Sequence, residues 1–335
     1  MLNQVVVVGR LVQDAEIKEL ENGQRVSNIT LAVSRCYKNE EGIYETDFIS
    51  CKLWNNMTDN VKEYCKKGDI VGRKSYGKDI YFIVNQILTT TRNHKFAILK
   101  GLNIRIEADS PIEDLEIIGK DEIINSIKKY DSFLEERIKK NRIYESNEKN
   151  FTRQKIYLGK ILHLDGDRRY SDKSAKYYNK AGLNAIVKNV PENRQASIVV
   201  PLLKKYNPDI LIVTGHDAML KKGTNYNNIY NYRNSRHFIN TVKEARRWGP
   251  SSDKLVIFAG ACQSFYEAII ASGADFASSP GRILIDFVDP LIVAEKIAIA
   301  DECRFVTSNE ISREIKEGVK GVSGVGARGK RKIIG

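Results

Sequence analysis

Two reactive side chains each follow an apolar run. Ile210-Leu211-Ile212-Val213-Thr214-Gly215 leads into His216-Asp217, and Leu255-Val256-Ile257-Phe258-Ala259-Gly260-Ala261 leads into Cys262-Gln263-Ser264. Short apolar runs that end in small residues read as buried parallel strands. In open α/β sheets, ligands gather at the carboxyl ends of such strands. One helix-sized stretch separates the two runs, so they fall on neighbouring strands, with an imidazole beside a thiol. A free thiol, with a pKa near ~8.5, is mostly protonated at neutral pH and needs such a base. Cys262 therefore reads as a nucleophile and His216 as its base, the pair of a cysteine protease. A helix opening at Cys262 would favour the thiolate. Backbone amides near Gly215 and Gly260 are expected to hold an oxyanion. Gln263 and Ser264 supply either hydrogen bonds to the site or ordinary helix capping.

Other residues compete for these roles. His237, on the helix between the two runs, is the fallback base, and His163 sits near a strand end. His94 falls in a loop. Asp165, Asp167 and Asp217 also stand at strand ends, where one can orient His216 or receive a substrate arginine; capping a loop is the ordinary alternative. Ser278, Ser279 and Arg282 follow the next strand and can line a pocket. A second chemistry is open: Asp165, Asp167, His216 and Asp217 form the donor set of a metal-dependent phosphohydrolase. That reading leaves Cys262 without a role. An amidotransferase with its histidine after its cysteine is excluded, because no histidine follows Cys262. The protease reading requires no metal and no cofactor.

The elements that must carry these residues follow from the patterning. Residues 151–317 alternate strands and helices: strands at 155–164, 184–190, 209–214 and 254–259, and helices at 171–181, 192–206, 232–248, 263–272 and 289–300. That order implies an α/β fold, a mostly parallel sheet with helices on both faces. Residues 318–335 form a glycine-rich basic tail that reads as weakly ordered. Residues 111–150 carry apolar positions at helical spacing, a helical connector. Residues 68–110 show hairpin patterning and read as a small SH3-like β barrel. Residues 1–67 are β structure, with Asn22-Gly23 as a hairpin turn.

Composition sets bounds. The 335-residue chain carries a net charge of +12. The excess lies in residues 151–335, with 30 basic against 18 acidic side chains; this is a solvated basic surface. The five cysteines (Cys36, Cys51, Cys65, Cys262, Cys303) include no CxxC pair, which speaks against a disulfide framework or a zinc site. No secretory leader or membrane-length apolar run is seen, so a soluble intracellular protein without membrane contact is expected. The sequence fixes no oligomeric state.

Two resemblances add to this reading. Met1–Leu11, Asn28–Val33 and Asp47–Trp54 resemble the start of bacterial single-stranded-DNA-binding proteins. That resemblance implies a partial OB fold over residues 1–67, single-stranded DNA as a partner, and stacking aromatics. Phe48 and Trp54 are the candidates, with Tyr37 and Tyr44 nearby. After Lys67 the chain resembles the sporulation-specific protease YabG family of spore-forming bacteria. The blocks are Gly68–Val71, His163–Asp167, Pro208–Leu211, Thr214–Ala218, Phe258–Ser264 and Gly273–Pro280. This implies a cysteine endopeptidase of the mother-cell cytoplasm. It would process spore coat, cortex or germination proteins, with a preference for cutting after Arg. The His-then-Cys order is also similar to caspases and gingipains. Ala261-Cys262 matches their pattern, whereas Gly215-His216 reverses their His-Gly.

Overall fold

The computed structural model describes residues 10–12, 16–20, 24–38, 44–54, 67–89, 95–149, 155–220 and 225–334. The Asn22-Gly23 turn and His94 lie outside the described residues. The chain forms two units: Met1–Lys100 with Ala108–Ile118, and Gly101–Glu107 with Gly119–Gly335.

The described residues of the first unit form two β-sheets. Strands β1 (Arg10–Leu11), β2 (Glu16–Glu19), β3 (Arg25–Lys38) and β4 (Tyr44–Trp54) form one antiparallel sheet. β3 and β4 pair from Val26↔Trp54 to Lys38↔Tyr44. Along β4 the side chains of Phe48, Ser50, Lys52 and Trp54 are exposed, and those between them are half-buried. This is the alternation of a strand with one solvated face.

A second sheet has the order β8-β7-β6-β5-β9, built from β5 (Ile70–Arg73), β6 (Tyr81–Thr89), β7 (Lys95–Gly101), β8 (Glu107–Pro111) and β9 (Leu115–Ile117). Residues 115–117, expected within the helical connector, form a strand of this sheet. The turn before β9 is pinned by Asp114, whose carboxylate accepts from the Ser75 amide and hydroxyl (2.7 Å each) and from Arg73 Nε (3.1 Å). Chiefly the Ser75 hydroxyl holds the Asp114 carboxyl down at about 2.

The second unit is α/β. Its helices are α1 (Lys120–Lys149), α2 (Arg168–Lys180), α3 (Glu192–Tyr206), α4 (Ser235–Trp248), α5 (Tyr266–Ala271), α6 (Asp289–Ile299) and α7 (Ser308–Ser312). A short strand β10 (Lys155–Tyr157) precedes β11 (Ile161–Asp165), so the expected 155–164 strand is broken in two. β11 joins β12 (Ala185–Asn189), β13 (Ile210–Thr214), β14 (Val256–Ala259), β15 (Phe276–Ser278) and a later β17 (Val322–Gly324) in the order β12-β11-β13-β14-β15-β17. The first five strands run parallel, and β17 is antiparallel to β15.

Strand side chains point alternately to the two faces. Ile161, Ile210, Ile212 and Phe258 pack with α2 and α6 on one face. Leu162, Leu211, Val213 and Ile257 pack with α3, α4 and α5 on the other. Burial on both faces is why these strands read as unbroken apolar runs. Local signals set several helix ends. The Asp167 carboxylate caps α2 by accepting from Arg169 N (2.7 Å). Asn207 closes α3 in the left-handed conformation (φ +43°).

The tail departs from expectation. β17 completes the central sheet, β18 (Ala327–Arg328) pairs with β16 (Phe305–Val306), and β19 (Lys332–Ile334) pairs with β10. Two of its glycines are sites of close approach rather than looseness. A Cβ on Gly324 would lie 2.1 Å from Asp275 O, and one on Gly329 2.2 Å from Ala300 O. Among the described residues no helix is long and apolar enough to cross a membrane.

Candidate active site

β13 and β14 are adjacent and parallel, with Val213 opposite Ala259 as the last paired residues. His216 and Cys262 each stand three positions beyond that pair, at the carboxyl ends. The expected neighbouring placement follows from the crossover through α4. The contacts of the two side chains, however, run to other residues.

The Cys262 thiol is buried. Sγ lies 3.1 Å from the carbonyl oxygen of Arg105, which accepts its proton, and Ile285 N–H donates to Sγ at 3.4 Å. Burial pushes the thiol up to about 11, against the pull of the Ile285 amide and the Arg105 charge. Two expectations are corrected here. The helix expected from Gln263 begins at Tyr266, so no helix terminus opens at Cys262. The thiol is accordingly raised, not lowered. The intervening turn is held by Ala261 N–H donating to Ser264 Oγ (2.9 Å). Gln263 adopts φ +54°, in the left-handed region that is costly for a side chain, as do Ser279 (+58°) and Arg282 (+54°) nearby. Gln263 caps no helix: its amide donates to Ser279 Oγ (3.0 Å) and its Oε1 accepts from Met219 N (3.3 Å).

His216 is held through its backbone. Its N–H donates to Glu192 Oε1 at 2.7 Å. Its ring nitrogens lie 3.8 Å from Asp167 Oδ2 and 3.9 Å from Glu192 Oε1, and the ring meets Tyr170 edge-on at 6.2 Å. Burial, then the Arg105 charge, lower its pKa, so at neutral pH it is the uncharged imidazole that a base requires. Room for Glu192 comes from two glycines: a Cβ on Gly166 would lie 2.2 Å, and one on Gly215 2.3 Å, from Oε1. Glu192 was not singled out from the sequence. As the first residue of α3 it carries only the ordinary signal of an acid in a first turn.

The remaining expected residues divide. Asp217 does not orient the His216 ring. Its carboxylate accepts from Ser235 Oγ, Ser264 Oγ (3.0 Å), Asn234 N (2.7 Å) and Ala218 N (2.9 Å), and so ties the loop after β13 to the loop after β14. Burial raises it to about 6. The Gly260 amide is not free for an oxyanion, since it donates to Val213 O (3.0 Å). Gly215 instead offers its carbonyl, to Arg105 Nη1 (3.1 Å). His237 is half-buried on α4, without a described contact to Cys262. His163 is fully buried and bonds Thr214 Oγ1 (2.7 Å) and Tyr178 OH (3.2 Å). Burial brings it down to about 4, which makes it a neutral core histidine.

Asp165 is the other centre. Its Oδ1 accepts from Asp167 N (2.8 Å), and its Oδ2 from Thr214 Oγ1 (2.8 Å) and Arg105 Nη2 (2.5 Å). A carboxylate neutralised by a guanidinium is a poor metal ligand, and among the described residues no three His, Cys, Asp or Glu side chains converge to hold one. The phosphohydrolase set is therefore not assembled. Arg105 was missed because nothing local to Asn103-Ile104-Arg105-Ile106 marks it.

In the first unit, Phe48 and Trp54 are 67% and 45% exposed, with Lys52 Nζ 6.0 Å from the Trp54 ring. The side chains of Tyr37 and Tyr44 lie outside the described residues.

Comparison with known proteins gives two matches along the chain: YabG peptidase U57 over residues 66–334, and the single-strand binding protein family over residues 2–73. The sporulation-specific protease YabG of Bacillus subtilis is 37% identical over 281 residues, 79% of this chain and 96% of that protein. The single-stranded DNA-binding protein of Halalkalibacterium halodurans is 49% identical over 72 residues, 22% of this chain and 43% of its own length. Single-stranded DNA-binding protein B of Bacillus subtilis is 43% identical over 72 residues, 64% of its length. The chain thus spans less than two thirds of either DNA-binding relative. Residues 2–73 are similar to the single-strand binding protein family, and the chain belongs to the YabG peptidase U57 family.

Proposed function

We propose that this protease is a cysteine endopeptidase of sporulating cells, with Cys262 as nucleophile and His216 as base. It cuts after arginine in spore coat, cortex or germination proteins within the mother-cell cytoplasm. The observation that carries the reading is the matched position of the two side chains, three residues past the last pair of adjacent parallel strands. That geometry is also what a caspase- or gingipain-like sheet would use. His216 takes the thiol proton, the thiolate attacks the carbonyl carbon, and the imidazolium returns the proton to the departing amine. Water then cleaves the thioester. The neutral imidazole suits the first step.

The test is proteolysis of arginine-containing peptides, with the cuts mapped by mass spectrometry. Cys262→Ala should be inactive while retaining the wild-type circular dichroism. His216→Ala should lose ~10²–10⁴-fold in rate. Full activity in Cys262→Ala refutes the assignment, and a near-normal rate in His216→Ala moves the base elsewhere.

A second reading concerns residues 1–67, where the exposed Phe48, Lys52 and Trp54 on one strand face suit base stacking beside a cation. Phe48→Ala and Trp54→Ala should each weaken single-stranded DNA binding by ~1–3 kcal/mol in low-salt anisotropy titrations. Unchanged binding in both excludes that surface.

A further inference from the structure

Arg105 makes two contacts at once. Its carbonyl oxygen accepts from the Cys262 thiol (3.1 Å), and its guanidinium lies in a closed pocket on Asp165 Oδ2 (2.5 Å) and Gly215 O (3.1 Å), 4.5 Å over the Tyr170 ring. These are the contacts that the residue before a scissile bond makes with a protease: carbonyl at the nucleophile, side chain in the pocket that reads it. We propose that Asp165, with Gly215 O and Tyr170, is the pocket that reads substrate arginine, and that Arg105 occupies it in cis, so that residues 101–107 compete with substrate. The proposal rests on Cys262 as nucleophile.

The chemistry of the pocket fits a guanidinium. Asp165 is fixed by Asp167 N and Thr214 Oγ1 before any cation arrives, so it offers a pre-set charge. The planar fork of an arginine can meet Asp165 and Gly215 O together and lie on an aromatic face, whereas a lysine ammonium cannot span both. Arg105 fills the pocket imperfectly, since its Nε is buried without a hydrogen-bond partner. The loop is also built to stay. Ile106 N–H turns back to Ile104 O (2.9 Å) with Arg105 at the apex. Arg169 Nη1 holds Gly101 O (2.9 Å) and Tyr170 OH holds Ile104 O (2.8 Å). A peptide read by a protease lies extended, so this tight turn suits an occupant rather than a substrate.

The experiment uses the full chain in its inert Cys262→Ala form, with Nα-acetyl-arginine amide and its uncharged citrulline counterpart as probes in calorimetric titrations. Adding Arg105→Ala should tighten arginine-amide binding at least tenfold and leave citrulline amide unchanged. Asp165→Asn in that background should abolish the gain. Because removing Arg105 strands a buried carboxylate, Arg105→Lys is the second variant; it keeps a cation and should give a smaller gain of the same sign. Equal affinity with and without Arg105, a gain that survives Asp165→Asn, or equal binding of citrulline overturns the proposal. Alongside, active Arg105→Lys should show a lower KM at unchanged kcat for an arginine substrate, and an unchanged KM counts against competition in cis. If no form cleaves any peptide, the protease reading fails with it. The probe titrations still decide the pocket.

Discussion

Raising the pH alone should switch on alkylation of Cys262. Burial holds its thiol at about 11, with Sγ enclosed by Arg105 O and Ile285 N. At pH 7.5 a thiol at that value is thiolate in roughly 0.03% of molecules, against about 9% for an ordinary one near 8.5. Iodoacetamide should therefore modify Cys262 at least ~300-fold more slowly than an ordinary thiol, with enclosure slowing it further. The rate should climb about tenfold per pH unit from 7.5 and level off only near 11. The assay is timed alkylation of the full chain, quenched, digested and read by mass spectrometry. Cys303, free and exposed, is the internal control. Alkylation of Cys262 as fast as Cys303 at pH 7.5, or a profile levelling near 8.5, would refute the reasoning. It would mean that the thiol is solvated or paired with a cation in solution.

Two further outcomes follow from the same contacts. His163, neutral in the core and lowered from 6.5 to about 4, adds stability that is complete above its unfolded value and is lost as the pH falls through about 4, worth about 3 kcal/mol. Urea midpoints at pH 7 and pH 4 should show that loss in the wild type and not in His163→Gln; identical slopes would show that His163 is charged in the folded state. Gly215→Ala puts a Cβ 2.3 Å from the Glu192 carboxylate that holds the His216 amide. It should cost ~1–3 kcal/mol in thermal denaturation and lower kcat more than it raises KM; an unperturbed variant would mean that Glu192 moves aside freely.

The sequence determined the strands and what stands at their ends. Ile210–Thr214 and Val256–Ala259 are legible because a strand buried on both faces has no polar alternation, and small residues follow where the chain must turn. Helix Glu192–Tyr206 matched residue for residue, because Pro191 before it and Asn207-Pro208 after it leave the backbone little choice. These are local constraints, carried by neighbouring residues. Tertiary structure decided the rest. The tail's glycines suggested looseness, yet Gly324 and Gly329 are required because other backbone passes within contact distance there. The thiol's protonation turned on burial and on a helix that starts three residues late. Arg105 came to Asp165 from 60 positions away, and its carbonyl to Cys262 from 157 away. An ion pair closed across that much chain leaves no local periodicity, so only packing reveals that the pocket at Asp165 already holds an arginine.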